Sequence, residues 1–233
     1  GLELAKRGHQ IHFITYSQPV RLALLNPNVH YHEVHVPEYP LLHYQPYELA
    51  LSSKLVDMVK LYKIDVLHVH YAIPHAYAGY MAKQMLADEG IRIPIVTTLH
   101  GTDITLVGNH PFYKPAVNFS INKSDVVTSV SESLRADTYR LFDIKNEIVV
   151  IPNFIELNKE KALKNIPCHR SLMALEDEMI ITHISNFRKV KRIDDIVKIF
   201  YEIQKEVPSK LMMVGEGPEK EIAERMCEEL GIQ

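Results

Sequence analysis

The chain has 233 residues, 46% of them hydrophobic and 24% charged, with a formal net charge of −3, which is enough for one good-sized α/β domain or two small ones with cores of their own. The near-neutral balance, without long basic tracts, excludes a sequence-independent grip on nucleic acid as the main function. No apolar stretch approaches the roughly 18 residues that span a bilayer, and no signal-peptide pattern opens the chain, so a cytoplasmic location is expected.

In chain order, GLELAKRGH reads as the second half of an amphipathic helix, with Leu2 and Ala5 apolar and Gly8 as its stop, so the natural start is expected upstream. Strands are predicted at QIHFIT and HYHEVHV. A helix follows from about Tyr47 to Lys63, where Leu55, Met58, Val59 and Tyr62 recur at spacings of three and four as a core stripe. Next come strand DVLHVH, a helix after Pro74, strand IPIVTTL, a helix near 112–122, strand DVVTSV, a helix from Ser131 and strand EIVVIP. Ser129 followed three residues on by Glu132 reads as a capping box for that last helix, which makes its hydroxyls structural. Alternation of this kind implies a parallel sheet with helices on both faces.

After IPNFIE the character changes. Residues 157–178 are polar and irregular, the composition of an interdomain connection. Strand MIITHIS, loop NFRKVKR, a helix with Ile193, Ile196, Val197, Phe200 and Ile203 on one face, strand KLMMVG and a further helix then form a βαβ unit. The predicted domains are therefore 1–156 and 179–233, the second ending on the opening of another strand, so that the chain reads as an internal fragment. Two parallel sheets joined by a linker imply a ligand in a cleft between them.

Ligands of open parallel sheets sit beyond the carboxyl ends of the strands, which singles out three places. In HGTD, Gly101 permits close backbone approach and His100 offers a tunable donor or acceptor. In NFRKVKR, Asn186 to Arg192, four cations stand between a strand and a helix N-terminus, a setting that favours phosphate; a solvated basic loop is the plain alternative. In VGEGPE, two glycines and Pro218 at a helix start allow close backbone approach, although the third glycine of a dinucleotide fingerprint is lacking. Among thirteen histidines, His68 and His70 share one strand face and His30 and His32 another, but no carboxylate or cysteine stands at ligand spacing beside them, so core or cleft-lining roles are expected and no metal. Cys168 and Cys227 are far apart and outside any CxxC, which excludes a disulfide scaffold and a structural zinc site. There is no GxSxG elbow or Cys/His nucleophile pattern.

Taken in order, HVHYAIPHA, TTLHGTDIT, KSDVVTSVSESL, IPNFI, SNFRKVKRIDD and VGEGPE resemble the family 4 glycosyltransferases of GT-B fold. YQPYELALSSK resembles the subgroup that joins N-acetylglucosamine to L-malate in the first step of bacillithiol biosynthesis. The resemblance covers essentially the whole chain. It implies two Rossmann-like domains facing a cleft, with the acceptor mainly on the first and UDP-N-acetylglucosamine (UDP-GlcNAc) mainly on the second. Transfer would retain the anomeric configuration and require no metal. By the same resemblance, Lys191 and Arg188 meet the β-phosphate, and His100 contacts the transferred sugar near its anomeric centre. Gly215, Glu216 and Gly217 belong to the donor loop, while Asn186 stands where many relatives carry an arginine. Tyr71, Thr102, Lys114 and Asn118 are the acceptor-pocket candidates, and Asn153 lies in the hinge motif. A glycine-rich loop would precede Gly1 and a glutamate pair would follow Gln233, so the chain as it stands is not expected to turn over. Another acceptor, or a nucleotide-sugar-binding relative without catalysis, are the alternative readings. Oligomeric state is left open, a homo-oligomer included.

Overall fold

The structure, a computed structural model, describes residues 1–19, 22, 26–36, 46–155 and 168–232. The chain divides into two compact units, Gly1–Ile155 and Glu156–Gln233. Of the predicted connection, residues 157–167 lie outside the described residues, as do Tyr44 and Gln45.

The first unit runs α1 (Leu2–Lys6), β1 (Ile11–Thr15), β2 (Val29–Glu33), α2 (Tyr47–Tyr62), β3 (Leu67–His70), α3 (Tyr77–Asp88), β4 (Ile95–Leu99), α4 (Lys114–Lys123), β5 (Val126–Ser129), α5 (Glu132–Leu141) and β6 (Ile148–Val150). All pairing is parallel, as the alternation requires, but the strands form two sheets rather than one: β1-β2, and β3-β4-β5-β6. The β1 and β3 edges do not meet; a groove of about 520 Å³ lined by Ile11–Thr15 and Leu67–Tyr71 separates them.

Period two explains β3: Leu67 and Val69 are buried while His68 and His70 face outward. Leu51, Leu55 and Val59 of α2, with Ala78, Ala82 and Leu86 of α3, cover that inner face and Ile95 in one core cluster. Tyr62 departs from the expected stripe. It is 44% exposed because its ring rests on His12 and His32, with centroids 4.6 and 5.0 Å away. A second cluster joins Leu99, Ile104, Val117, Ile121, Val127, Leu134 and Ile148 beneath the other end of the sheet.

The cap of α5 also corrects the sequence reading. Ser131, in extended backbone, accepts the Leu134 N–H on its side chain at 3.1 Å. Ser129 is still within β5, paired with Leu99 and Val150, and its hydroxyl donates to the Ser131 carbonyl. Glu132 pairs with Arg135 instead of closing a reciprocal box.

In the second unit, β7 (Met179–Ile184) and β8 (Ser209–Val214) pair in parallel, with α6 (Ile193–Glu206) and α7 (Lys220–Leu230) completing two β/α repeats. Ile193, Val197, Phe187 and Ala223 are its buried core. Among the described residues no helix is long and apolar enough to cross a membrane.

Candidate active site

Parallel pairing of β3 with β4 sets His70 opposite Thr98 and brings the two strand exits side by side. Tyr71 leaves β3 with φ at 77°, a conformation that costs a non-glycine residue about 1–3 kcal/mol and persists only where neighbours enforce it. Its N–H donates to the Thr98 carbonyl at 2.9 Å. The next N–H, that of Ala72, donates to the Asp103 carboxylate at 2.9 Å. Asp103 is 3% exposed and also accepts the N–H groups of Gly101 at 3.0 Å and His100 at 3.3 Å. One buried carboxylate thus satisfies three loop amides and locks both exits. Nothing in the HGTD motif by itself points to this role for Asp103.

Above that lock the aromatic side chains converge. His70 Nδ1 and His100 Nε2 are 2.8 Å apart, and the Tyr71 ring lies 4.9 Å from that of His100. His68 stacks on His70 at 4.7 Å, and its Nε2 meets Thr98 Oγ1 at 2.8 Å, which in turn meets Thr128 Oγ1 at 2.7 Å. His70 is open to solvent on one side, yet the walls around it push its pKa down to about 4, burial first and the neighbouring His68 and His100 next. Burial lowers His68 and His75 as well. These three imidazoles are neutral at pH 7, able to donate or accept without adding charge.

Among the described residues of this unit, three polar atoms are buried without a hydrogen-bond partner: Tyr47 Oη, His75 Nδ1 and Asn118 Oδ1. Such atoms are the ones a ligand or an ordered water completes. Tyr47 and His75 meet edge to face, centroids 6.1 Å apart, and His75 lies 6.1 Å from the Tyr71 ring. Of the predicted acceptor residues, the structure groups Tyr71 with His100 and leaves Thr102 exposed on the turn that follows Gly101. Lys114 and Asn118 lie one turn apart on α4, with the Lys114 ammonium 5.6 Å from the centre of the Phe142 ring. Asn153 is exposed on the segment after β6. On the other sheet His12, His30 and His32 stack together, but among the described residues no group of three or more His, Cys, Asp or Glu is placed to hold a metal ion.

In the second unit the exits of β7 and β8 are likewise adjacent, with Ser185 N–H on the Val214 carbonyl at 3.1 Å. Phe187 N–H donates to Glu216 O at 2.7 Å and Glu219 N–H to Phe187 O at 3.0 Å, zipping the two loops together. Gly215 and Gly217 take φ of 148° and 151°, and a Cβ on them would stand 1.8 Å from Ser185 O and 2.4 Å from Phe187 O. Only glycine fits either place. The Asn186 carbonyl accepts the Arg188 N–H at 2.9 Å, and the Arg188 carbonyl accepts the Lys191 N–H at 2.7 Å, curling the basic loop into the turn Lys189–Lys191 before α6. Arg192 is paired with Asp195. Arg188 and Lys191 are exposed and make no ion pair among the described residues, which leaves their charge for an anion.

Parallel β/α units with working loops at the carboxyl ends of their strands are the architecture of the GT-B glycosyltransferases. A glycosyltransferase from Rickettsia africae shares it with a TM-score of 0.69 at 17% identity, over 99% of this chain and 60% of that one. A Staphylococcus aureus TarM mutant in complex with Fondaparinux, alpha-GlcNAc-glycerol and UDP does so with a TM-score of 0.50 at 20% identity, over 82% and 36%. At these identities the likeness is one of fold. The chain belongs to Glycosyltransferase Family 4, which its residues 1–159 match. It is 48% identical over 219 residues to the N-acetyl-alpha-D-glucosaminyl L-malate synthase of Bacillus anthracis, covering 94% of this chain and 57% of that protein. An uncharacterized glycosyltransferase of Methanocaldococcus jannaschii is 24% identical over 99% of this chain and 60% of its own length. The chain thus spans less than two thirds of the length of these relatives.

Proposed function

We propose that the protein transfers N-acetylglucosamine from UDP-GlcNAc to the hydroxyl of L-malate in the cytoplasm, with retention and without a metal, as the first step of bacillithiol biosynthesis. The observation that carries this reading is the 48% identity to the named synthase, sustained over 94% of the chain.

The chemistry of the two units is consistent with it. A departing diphosphate needs positive charge where negative charge builds, and Lys191 with Arg188 supplies it beside loops in which Gly215 and Gly217 let backbone come close. Asn186 and Glu216 complete that donor side. On the acceptor side, His100 faces the transferred sugar, and Tyr71 and Thr102, with Lys114 and Asn118 on α4, hold malate. In the transfer, the bond from the anomeric carbon to the phosphate oxygen breaks as the bond to the malate oxygen forms on the same face. The malate hydroxyl proton passes to the departing phosphate oxygen, so no protein nucleophile is consumed. Placement then supplies much of the acceleration.

The test is UDP release by the intact protein, expressed from its full reading frame, with UDP-GlcNAc and malate, with other hydroxy acids and sugars, and with no acceptor. Malate-dependent release is expected. Release with a different acceptor alone, or UDP-GlcNAc binding without release, would overturn the malate transferase reading.

A further inference from the structure

We propose that His70 is a positioning residue for His100, whose Nε2 it occupies across a 2.8 Å contact so that Nδ1 is the one ring nitrogen His100 offers to a ligand. The proposal rests on the reading of His100 as the sugar-facing group for its catalytic meaning, while the contact itself stands independently of it.

A neutral imidazole carries one N–H and one lone pair. Whichever ring donates across the His70–His100 contact, His100 Nε2 is committed. The His70 ring is itself held from several directions. Its backbone is in register with Thr98, and His68 stacks on it at 4.7 Å. His68 is anchored in turn through Thr98 Oγ1 to Thr128 Oγ1, at 2.8 and 2.7 Å. A polar ladder therefore crosses β3, β4 and β5 and ends on His100. Asp103 meanwhile fixes the main chain of His100 through its N–H, and Tyr71 packs against the ring at 4.9 Å. Backbone and side chain are restrained by different partners, the arrangement by which supporting residues set the orientation of a working histidine. The HVH pattern serves this by putting His68 and His70 on one strand face, two residues apart.

Long-range ¹H–¹⁵N spectra of the ligand-free intact protein, labelled at histidine and assigned with His100→Ala, read the hydrogen-bonded state of each ring nitrogen. A hydrogen-bonded His100 Nε2 is expected in the parent and a released one in His70→Ala. His70→Asn, whose amide can stand where Nδ1 stands, is expected to restore the hydrogen-bonded state; His70→Gln, which imitates Nε2, is not. Unchanged His100 signals in a folded His70→Ala overturn the proposal. If that variant does not fold, the Asn and Gln variants decide, and identical His100 spectra in the two overturn it. In the UDP-release assay, His70→Ala is expected to lower kcat about tenfold with little change in the malate KM, and Asn to recover it. A parent protein with the expected His100 Nε2 contact but no transfer would fail the functional reading alone.

Discussion

The Asp103 carboxylate accepts the backbone N–H of Ala72 at 2.9 Å, joining positions 31 residues apart and tying the exit of β4 to the exit of β3. Because it also holds the amides of His100 and Gly101, its removal leaves one buried donor and two half-buried ones without partners. Asp103→Ala is expected to lower folding stability by about 2–3 kcal/mol, and Asp103→Asn, which keeps the shape but not the charge, by less. Urea unfolding measures both. A loss in the alanine variant within about 0.5 kcal/mol, the range of an inconsequential surface change, would show that the loops are held by something else.

The basic loop offers an internal control. Lys191→Ala is expected to reduce kcat by about 10²–10³-fold, the effect of deleting one preorganised charge-stabilising group, with the malate KM nearly unchanged. Arg192, already paired with Asp195, is expected to tolerate alanine with a small effect. Steady-state UDP release distinguishes them, and an equal effect of the two substitutions would remove Lys191 from its assigned role.

At Gly215 the expectation is steric. A methyl group there would stand 1.8 Å from Ser185 O, so Gly215→Ala must displace the loop. UDP binding measured by calorimetry is expected to weaken at least about tenfold, or 1.4 kcal/mol, with a lowered Tm. Retention of full affinity would place the nucleotide elsewhere.

Protonation gives a further test. His70 falls from an ordinary 6.5 to about 4 in the folded protein, so between those values the unfolded chain takes up the proton first. Its contribution to stability is complete above pH 6.5, declines as pH falls toward 4, and is level below that. The groups that act on it are, in order, His68, His100, the Gly1 ammonium and His75. His70→Asn is expected to flatten part of the decline in urea midpoint between pH 6.5 and 4; His68 and His75 shift in the same direction and keep the remainder. An identical slope in the variant would mean that His70 titrates as a free imidazole.

Much of this was legible in the residues because period and position carry it. Leu67 and Val69 alternate with His68 and His70, and strand exits are where parallel sheets work, so β3, the HGTD turn and the basic loop all follow from the residues alone. Partner choice was not legible. That Asp103 meets Ala72, or His70 meets His100, follows only once β3 lies beside β4 in a particular register. Ser129 misled as a cap because sequence spacing cannot tell the last strand residue from the first helix neighbour. Tyr62 misled because an aromatic ring at a core spacing found a face of two histidines to cover instead.

The reciprocal amide bonds between Phe187, Glu216 and Glu219 carry a lesson for redesign. Segments 185–188 and 215–219 are mechanically one part, and a change of length or backbone in either is transmitted to its mate. Swapping sugar-nucleotide preference by grafting a single stretch from a homologue would import half of a fitted pair. Libraries built on this scaffold therefore need to vary the two stretches together, as one cassette.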